Sequence, residues 1–157
     1  MESLLTPIEV QELNKFGKLE LTASQTYLHL TNRMKSLGYF GAESFFASES
    51  KDERKHYAKH ADFMNKMNAE LSTESLEKVT TDVSNIKEAL TLAYNMEKDL
   101  MDEYEKSARR TDLSLKVVLL LQEFLEIQVD AVGEYGDLLN RLALTDNMLL
   151  FDQELSK

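Results

Sequence analysis

The stretch Lys51-Asp52-Glu53-Arg54-Lys55-His56-Tyr57 decides how this chain is read. Glu53 and His56 stand three residues apart, a spacing that sets both side chains on one face of a helix, one turn apart. Around them Phe46, Glu49, Glu53, His56, His60, Phe63 and Met67 recur at steps of three and four and trace one stripe. The stripe is apolar at its ends and carries carboxylates and imidazoles in its middle. A buried charge is costly unless it is paired or bound to metal. This face is therefore either wet or set against something cationic.

The composition bounds what surrounds that stripe. With 157 residues the chain is long enough for one domain, 1–157, with a sizeable core. One proline and five glycines, with abundant Leu, Glu, Lys and Ala, argue for an all-helical fold. Cysteine is absent, which excludes a disulfide frame, a thiolate zinc site and a Cys-ligated cluster. The start, Met1-Glu2-Ser3-Leu4-Leu5, lacks the basic residues and long apolar run of a signal peptide, so a cytoplasmic protein is expected. A formal charge of −10 disfavours nucleic acid as a partner and favours cations.

Four long helices are predicted. The first begins at Thr6-Pro7-Ile8-Glu9, which offers a capping Thr, Pro at the first helical position and Glu three after the cap. Its stripe is Leu13, Phe16, Glu20, Ala23, Tyr27, Leu30 and Met34, ending near Gly38. The second covers roughly 42–70. Residues 71–83 are rich in Ser, Thr and Glu and read as a connector. At about 3.3 Å per residue it spans about 43 Å, the length of a ~28-residue helix, so it can cross the whole bundle and let two helices run parallel. The third helix, Ser84 to Arg110, carries Ile86, Leu90, Ala93, Glu97, Leu100 and Tyr104. Thr111-Asp112 reads as a tight turn with a capping Asp. The fourth, Leu113 to Leu142, carries Leu121, Leu125, Gln128, Ala131, Tyr135, Leu138 and Leu142. Its segment Leu113–Val129 is very apolar, yet Lys116, Gln122, Glu123 and Glu126 interrupt it, so a core helix that also meets a neighbouring subunit is expected rather than a membrane span. A short fifth helix falls within Asp146 to Leu155.

Each long helix thus brings one polar group, or one pair, to the middle of an apolar stripe: Glu20, Glu53 with His56, Glu97, and Gln128. Facing carboxylates in a bundle core would repel and desolvate one another, and a bound cation removes that penalty. Carboxylate oxygens with a single imidazole nitrogen suit iron or manganese, with zinc able to compete. This is the carboxylate-bridged di-metal pattern of the ferritin-like bundle.

Specific motifs carry that resemblance further. Glu20-Leu21-Thr22-Ala23-Ser24-Gln25-Thr26-Tyr27, with Glu53-Arg54-Lys55-His56, resembles the first two helices of ferritins. Ile127-Gln128-Val129-Asp130-Ala131, followed by Gly136-Asp137, is similar to the fourth-helix pattern of non-haem ferritins, and Leu150-Phe151-Asp152 to the start of their short C-terminal helix. The resemblance implies a ferroxidase that oxidises Fe(II) with O2 or H2O2. It also implies storage of Fe(III) mineral in a hollow shell, typically of about 24 copies. Carried over, Glu20, Glu53 and His56 hold a first iron, Glu53 bridges, and Glu97 holds the second. Gln128 lies near that second iron, and Tyr27 beside the site is hydrogen-bonded to a ligand. Asp52, Glu126 and Asp130 offer a third, weaker iron position.

The sequence also departs from related patterns. Bacterioferritins carry a second Glu-x-x-His where Gln128 and Ala131 stand, and a haem-binding Met where Arg54 stands, so no haem is expected. Val118 and Leu121 match positions where acids line the three-fold iron channel of many animal ferritins, which leaves the iron route open. Two alternatives stand beside this reading: a smaller dodecameric peroxide-detoxifying shell of the DNA-protecting type, and a metal-free structural subunit. His29 falls off the Glu20 stripe and is not expected to ligate. His60 lies one turn beyond His56, within reach to support the site, but surface or core packing is the better expectation for it, and packing is the expectation for Tyr104 and Tyr135.

Overall fold

The computed structural model describes residues 1–157 and contains helices and no strands. The chain enters α1 (Pro7–Leu37) through the expected capping box. Thr6 Oγ1 accepts from the Glu9 N–H at 3.2 Å, and Glu9 Oε1 accepts from the Thr6 N–H at 3.0 Å. Every residue of the predicted first stripe is buried. Gly38 ends the helix in the left-handed region, at φ +86°, where a side chain would be strained.

One residue later the chain turns back into α2 (Phe40–Lys66), which packs along α1. No side chain of its own caps this helix. Its first N–H groups are taken from afar: Asp152 accepts from Gly41 at 3.0 Å and from Ala42 at 2.8 Å. Asp152 lies on the short α5 (Met148–Leu155), so the carboxylate both caps α2 and docks the last helix on it.

The connector, residues 67–85, runs the length of α1. Polar side chains on one face of α1 hold its backbone. Asn14 accepts from the Ser72 N–H, and Gln25, His29 and Arg33 meet the carbonyls of Glu77, Thr81 and Val83. Leu71 rests on Gly17, where an added Cβ would come within 2.9 Å of it. His29 is thus occupied with the connector, as its place off the stripe implied. The connector returns the chain to the starting end of α2, so α3 (Ile86–Ala108) runs parallel to α2, and α4 (Leu115–Leu142) returns along α3.

Three expectations shift. The second helix starts and stops earlier than 42–70, at 40 and 66. Asp112 does not cap α4: it pairs with Arg110 at 2.7 Å, and Ser114 takes the cap position. Ser114 N–H and Oγ–H are bound by Glu9 of α1, at 2.7 and 2.5 Å. One carboxylate therefore closes the start of two helices. Leu121, one of the two positions matched to the channel lining, is fully buried within the bundle, and the exposed apolar face of this region is Leu115 and Leu119.

The core falls into two apolar clusters. One gathers Tyr27, Leu30, Met34, Phe46, Leu90 and Tyr135, and the other Leu13, Phe16, Met64, Tyr104, Leu121 and Phe124. The buried polar residues Glu20, Glu53, Glu97 and Gln128 lie between them, at mid-height. No helix is long and apolar enough to cross a membrane.

Candidate metal centre

α1 contributes Glu20, α2 contributes Glu53 and His56, α3 contributes Glu97 and α4 contributes Gln128. Glu20, Glu53, Glu97 and Gln128 are buried, whereas the His56 side chain keeps 19% of its surface exposed. One potential ligand atom each from Glu20, Glu53 and His56 lies within 4.8 Å of the others. His56 Nδ1 is 3.3 Å from Glu20 Oε2 and 3.4 Å from Glu53 Oε2.

Glu97 is not among those three. Both of its oxygens are already engaged. Oε1 accepts from Tyr27 Oη at 2.5 Å, and Oε2 accepts from Gln128 Nε2 at 2.6 Å. A carboxylate is acceptor-only, so the Gln128 amide must present its N–H₂ there. That leaves Gln128 Oε1 buried beside the site with no donor. An unpartnered buried oxygen is costly in apolar surroundings and suits a cation or a cation-bound water.

The first and third helices repeat one another. Glu20 is followed seven residues on by Tyr27, and Glu97 by Tyr104. Each tyrosine crosses to the other helix's acid: Tyr27 donates to Glu97, and Tyr104 donates to Glu20 Oε1 at 2.6 Å. Sequence reasoning marked Tyr27 and read Tyr104 as packing. The shared seven-residue spacing was the signal that could have found it. Behind Tyr104 stands His60, fully buried, with Nε2 at 2.8 Å from the Tyr104 hydroxyl.

Three carboxylates in one dry layer cannot all be charged. Burial, then the nearby Glu20 and Glu97 carboxylates, push Glu53 far above the usual carboxylate range, so without a cation beside it the group favours its protonated form. Burial also opposes a charged Glu20, but hydrogen bonds from Glu53, His56 and Tyr104 outweigh it and hold Glu20 below its ordinary value. Burial draws His56 down, and the facing Glu20 more than restores it, leaving its pKa raised. A cation bound among these groups would supply the neutralisation that a proton otherwise has to provide.

A recess of about 310 Å³ opens to this centre between α2 and α4. Glu49, Asp52, Asp130 and Glu134 line its outer part, and Glu53, His56 and Glu97 its floor. Burial and the acids Glu134, Glu97 and Asp52 lift Glu49 to about 7. Of the three residues expected to flank the site, Asp52 and Asp130 share this recess. Glu126 is exposed and does not line it.

Comparison with known proteins agrees with this architecture. A family model described as ferritin-like domain matches residues 10–145. A curated protein named ferritin from Pacifastacus leniusculus is 29% identical over 160 residues, covering 95% of this chain and 88% of its own length. Among solved structures, an open-pore ferritin of the archaeon Archaeoglobus fulgidus superposes with a TM-score of 0.89 at 19% identity, covering 96% of this chain and 97% of the other. A closed form of the same archaeal protein, engineered by mutagenesis, also gives 0.89, at 21% identity, over 97% of this chain and 96% of its own.

Proposed function

The chain belongs to the ferritin family of iron-storage proteins, and from that membership we propose that it is a ferroxidase. In this reading it oxidises Fe(II) inside the bundle and stores the Fe(III) product as mineral within a hollow cytoplasmic shell of its own copies. The observation that carries the proposal is the convergence of Glu20, Glu53 and His56, with ligand atoms within 4.8 Å of one another in a buried layer. Oxygen-rich ligation with one imidazole suits iron and favours its Fe(III) state.

The residues divide the work. Glu20 and His56 hold the first Fe(II), and Glu53 loses its proton and bridges to the second. Glu97 turns from Tyr27 and Gln128 to hold that second ion, and Gln128 Oε1 gains the partner it lacks. Two Fe(II) ions give up two electrons. These, with two protons, reduce one O2 to H2O2, or one H2O2 to two waters. Carboxylate ligands hold Fe(III) loosely enough for it to move on through the acidic recess, where Asp52 and Asp130 offer a third, weaker stopping place.

Aerobic loading of the apoprotein with excess Fe(II) tests this. The expected result is oxidation faster than in buffer and a soluble iron core that co-elutes with the protein. Absence of both would overturn the proposal. A metal-free subunit would show neither, but such a chain would have no need to bury this set of acids together.

A further inference from the structure

We propose that His60 is a positioning residue for the metal centre. Acting through Tyr104, it fixes Glu20 as a ligand that offers one oxygen only. This deepens the ferroxidase reading and rests on it.

His60 lies in an aromatic stack. Its ring is 4.0 Å from that of Phe124, at an interplanar angle of 7°, while Tyr104 stacks on Phe16 at 4.1 Å and 9°. An apolar ring would fill this space at lower cost. The imidazole instead leaves Nδ1 buried with no partner, a loss that packing does not explain.

The direction of the hydrogen bonds accounts for it. A carboxylate that ligates a cation is deprotonated and can only accept. Tyr104 has one hydroxyl hydrogen, and its oxygen is 2.6 Å from Glu20 Oε1, so that hydrogen goes to Glu20. The 2.8 Å contact on the other side of the hydroxyl must then be a donation from His60 Nε2–H. This fixes the tautomer, and the bare Nδ1 is what remains. The three groups form one chain, from His60 Nε2–H to the Tyr104 hydroxyl to Glu20 Oε1, in which each bond polarises the next.

The consequence falls on Glu20. With Oε1 held by Tyr104, Oε2 is the oxygen that faces His56. Glu97 in the other half is held differently, with Tyr27 on Oε1, Gln128 Nε2 on Oε2 and no imidazole behind the tyrosine.

The test uses the whole assembled protein and anaerobic titration with Co(II), read by its visible d–d spectrum, so that no iron oxidation is required. His60→Phe keeps the stack and removes the donor. It is expected to retain the helical content, weaken the first Co(II) by about tenfold and change the shape of its band. His60→Gln, which restores an N–H, should recover part of the affinity. Tyr104→Phe should match His60→Phe, and the double variant should lose no more than Tyr104→Phe alone. Wild-type affinity and spectrum in His60→Phe, or additive losses in the double variant, would overturn the proposal. Should His60→Phe not fold, an unchanged Co(II) affinity in Tyr104→Phe overturns it equally. Glu53→Ala separates the two readings: if it binds Co(II) as wild type does, the centre itself is misassigned. If it loses binding while His60→Phe does not, only the positioning role falls.

Discussion

Glu53 is the group on which the centre turns, because burial and the two acids beside it, Glu20 and Glu97, raise its pKa well above the usual range. Replacing it by Gln keeps the shape and removes the capacity to become an anion. The expectation is a split result: Fe(II) oxidation, followed by stopped-flow absorbance, slows at least about tenfold, while the apoprotein's thermal midpoint at neutral pH stays the same or rises. An unchanged oxidation rate would remove Glu53 from the reaction. Much of this layer was legible in the sequence, because an acid in the middle of an apolar stripe is conspicuous. Glu20, Glu97 and Gln128 all occupy the buried positions their stripes gave them. Tyr104 was not legible as a site neighbour, and His60, one turn beyond His56, only as the weaker of two readings, since each looks like a packing residue until the residue across from it is known. Their bonds join α1, α2 and α3 over 84 and 44 positions of sequence, and periodicity along one helix carries no information across helices.

The helices themselves follow from period and caps, but their junctions do not. The buried line of α2 runs through Ala42, Phe46, Ser50, Glu53, His60 and Met64, so the predicted stripe through Glu49, His56 and Phe63 marks its wetter edge. Small Ser50 is buried because it meets Ser24, with the two hydroxyls 2.9 Å apart, a polar seam that a hydrophobicity pattern misses. Two long-range caps were equally invisible. Glu9 binds the start of α4, and Asp152 the start of α2. Beside Glu9 stands Glu12, held by Lys15, Ser107 and Arg110. For Glu9 and Glu12 burial opposes ionisation, and their hydrogen bonds outweigh it, so each titrates below the usual value of 4.5. A depressed folded-state pKa gives stability that is present above the unfolded value and lost as pH falls through the folded one. The thermal midpoint should therefore drop as pH is lowered below about 4.5, and Glu9→Ala should lose about 2 kcal/mol at neutral pH and show a flatter acid limb. Equal acid sensitivity in the two proteins would remove Glu9 as a source. The second cap gives a different outcome. A Cβ on Gly41 would lie 1.8 Å from the Asp152 carbonyl oxygen, so Gly41→Ala should push α5 off α2 while α1 to α4 stay folded. Hydrogen exchange should then speed up across residues 148–155 and at the start of α2. Unaltered protection there would mean that the docking tolerates the added methyl.

At the scale of the molecule, the exposed apolar side chains bear on how copies of the chain meet. Leu115 and Leu119 stand one turn apart on α4 and are 72% and 52% exposed, and Leu144, Leu149 and Leu150 are exposed around α5. Apolar side chains grouped this way are the usual mark of a contact surface. They lie near the two ends of α4. A closed assembly of about 24 copies of an 18.0 kDa chain would weigh about 430 kDa, and a dodecamer roughly half that. Light scattering on the purified protein distinguishes these directly, and an 18.0 kDa species at micromolar concentration would remove the shell from the proposal. Charging the exposed face of α4 tests which surface is used. Leu115→Asp with Leu119→Asp sets two acids beside Glu123 in a contact that would have to be desolvated, a change of several kcal/mol at each repeated interface. The expected outcome is a much smaller species by light scattering. Its helical content should be kept, and its Fe(II) oxidation should persist because the centre is internal to one bundle. Its iron should precipitate, because no closed interior remains to hold the mineral. If the doubly charged variant still assembles at full size, the apolar face of α4 looks into solvent or onto a pore, and the contacts that close the shell lie elsewhere.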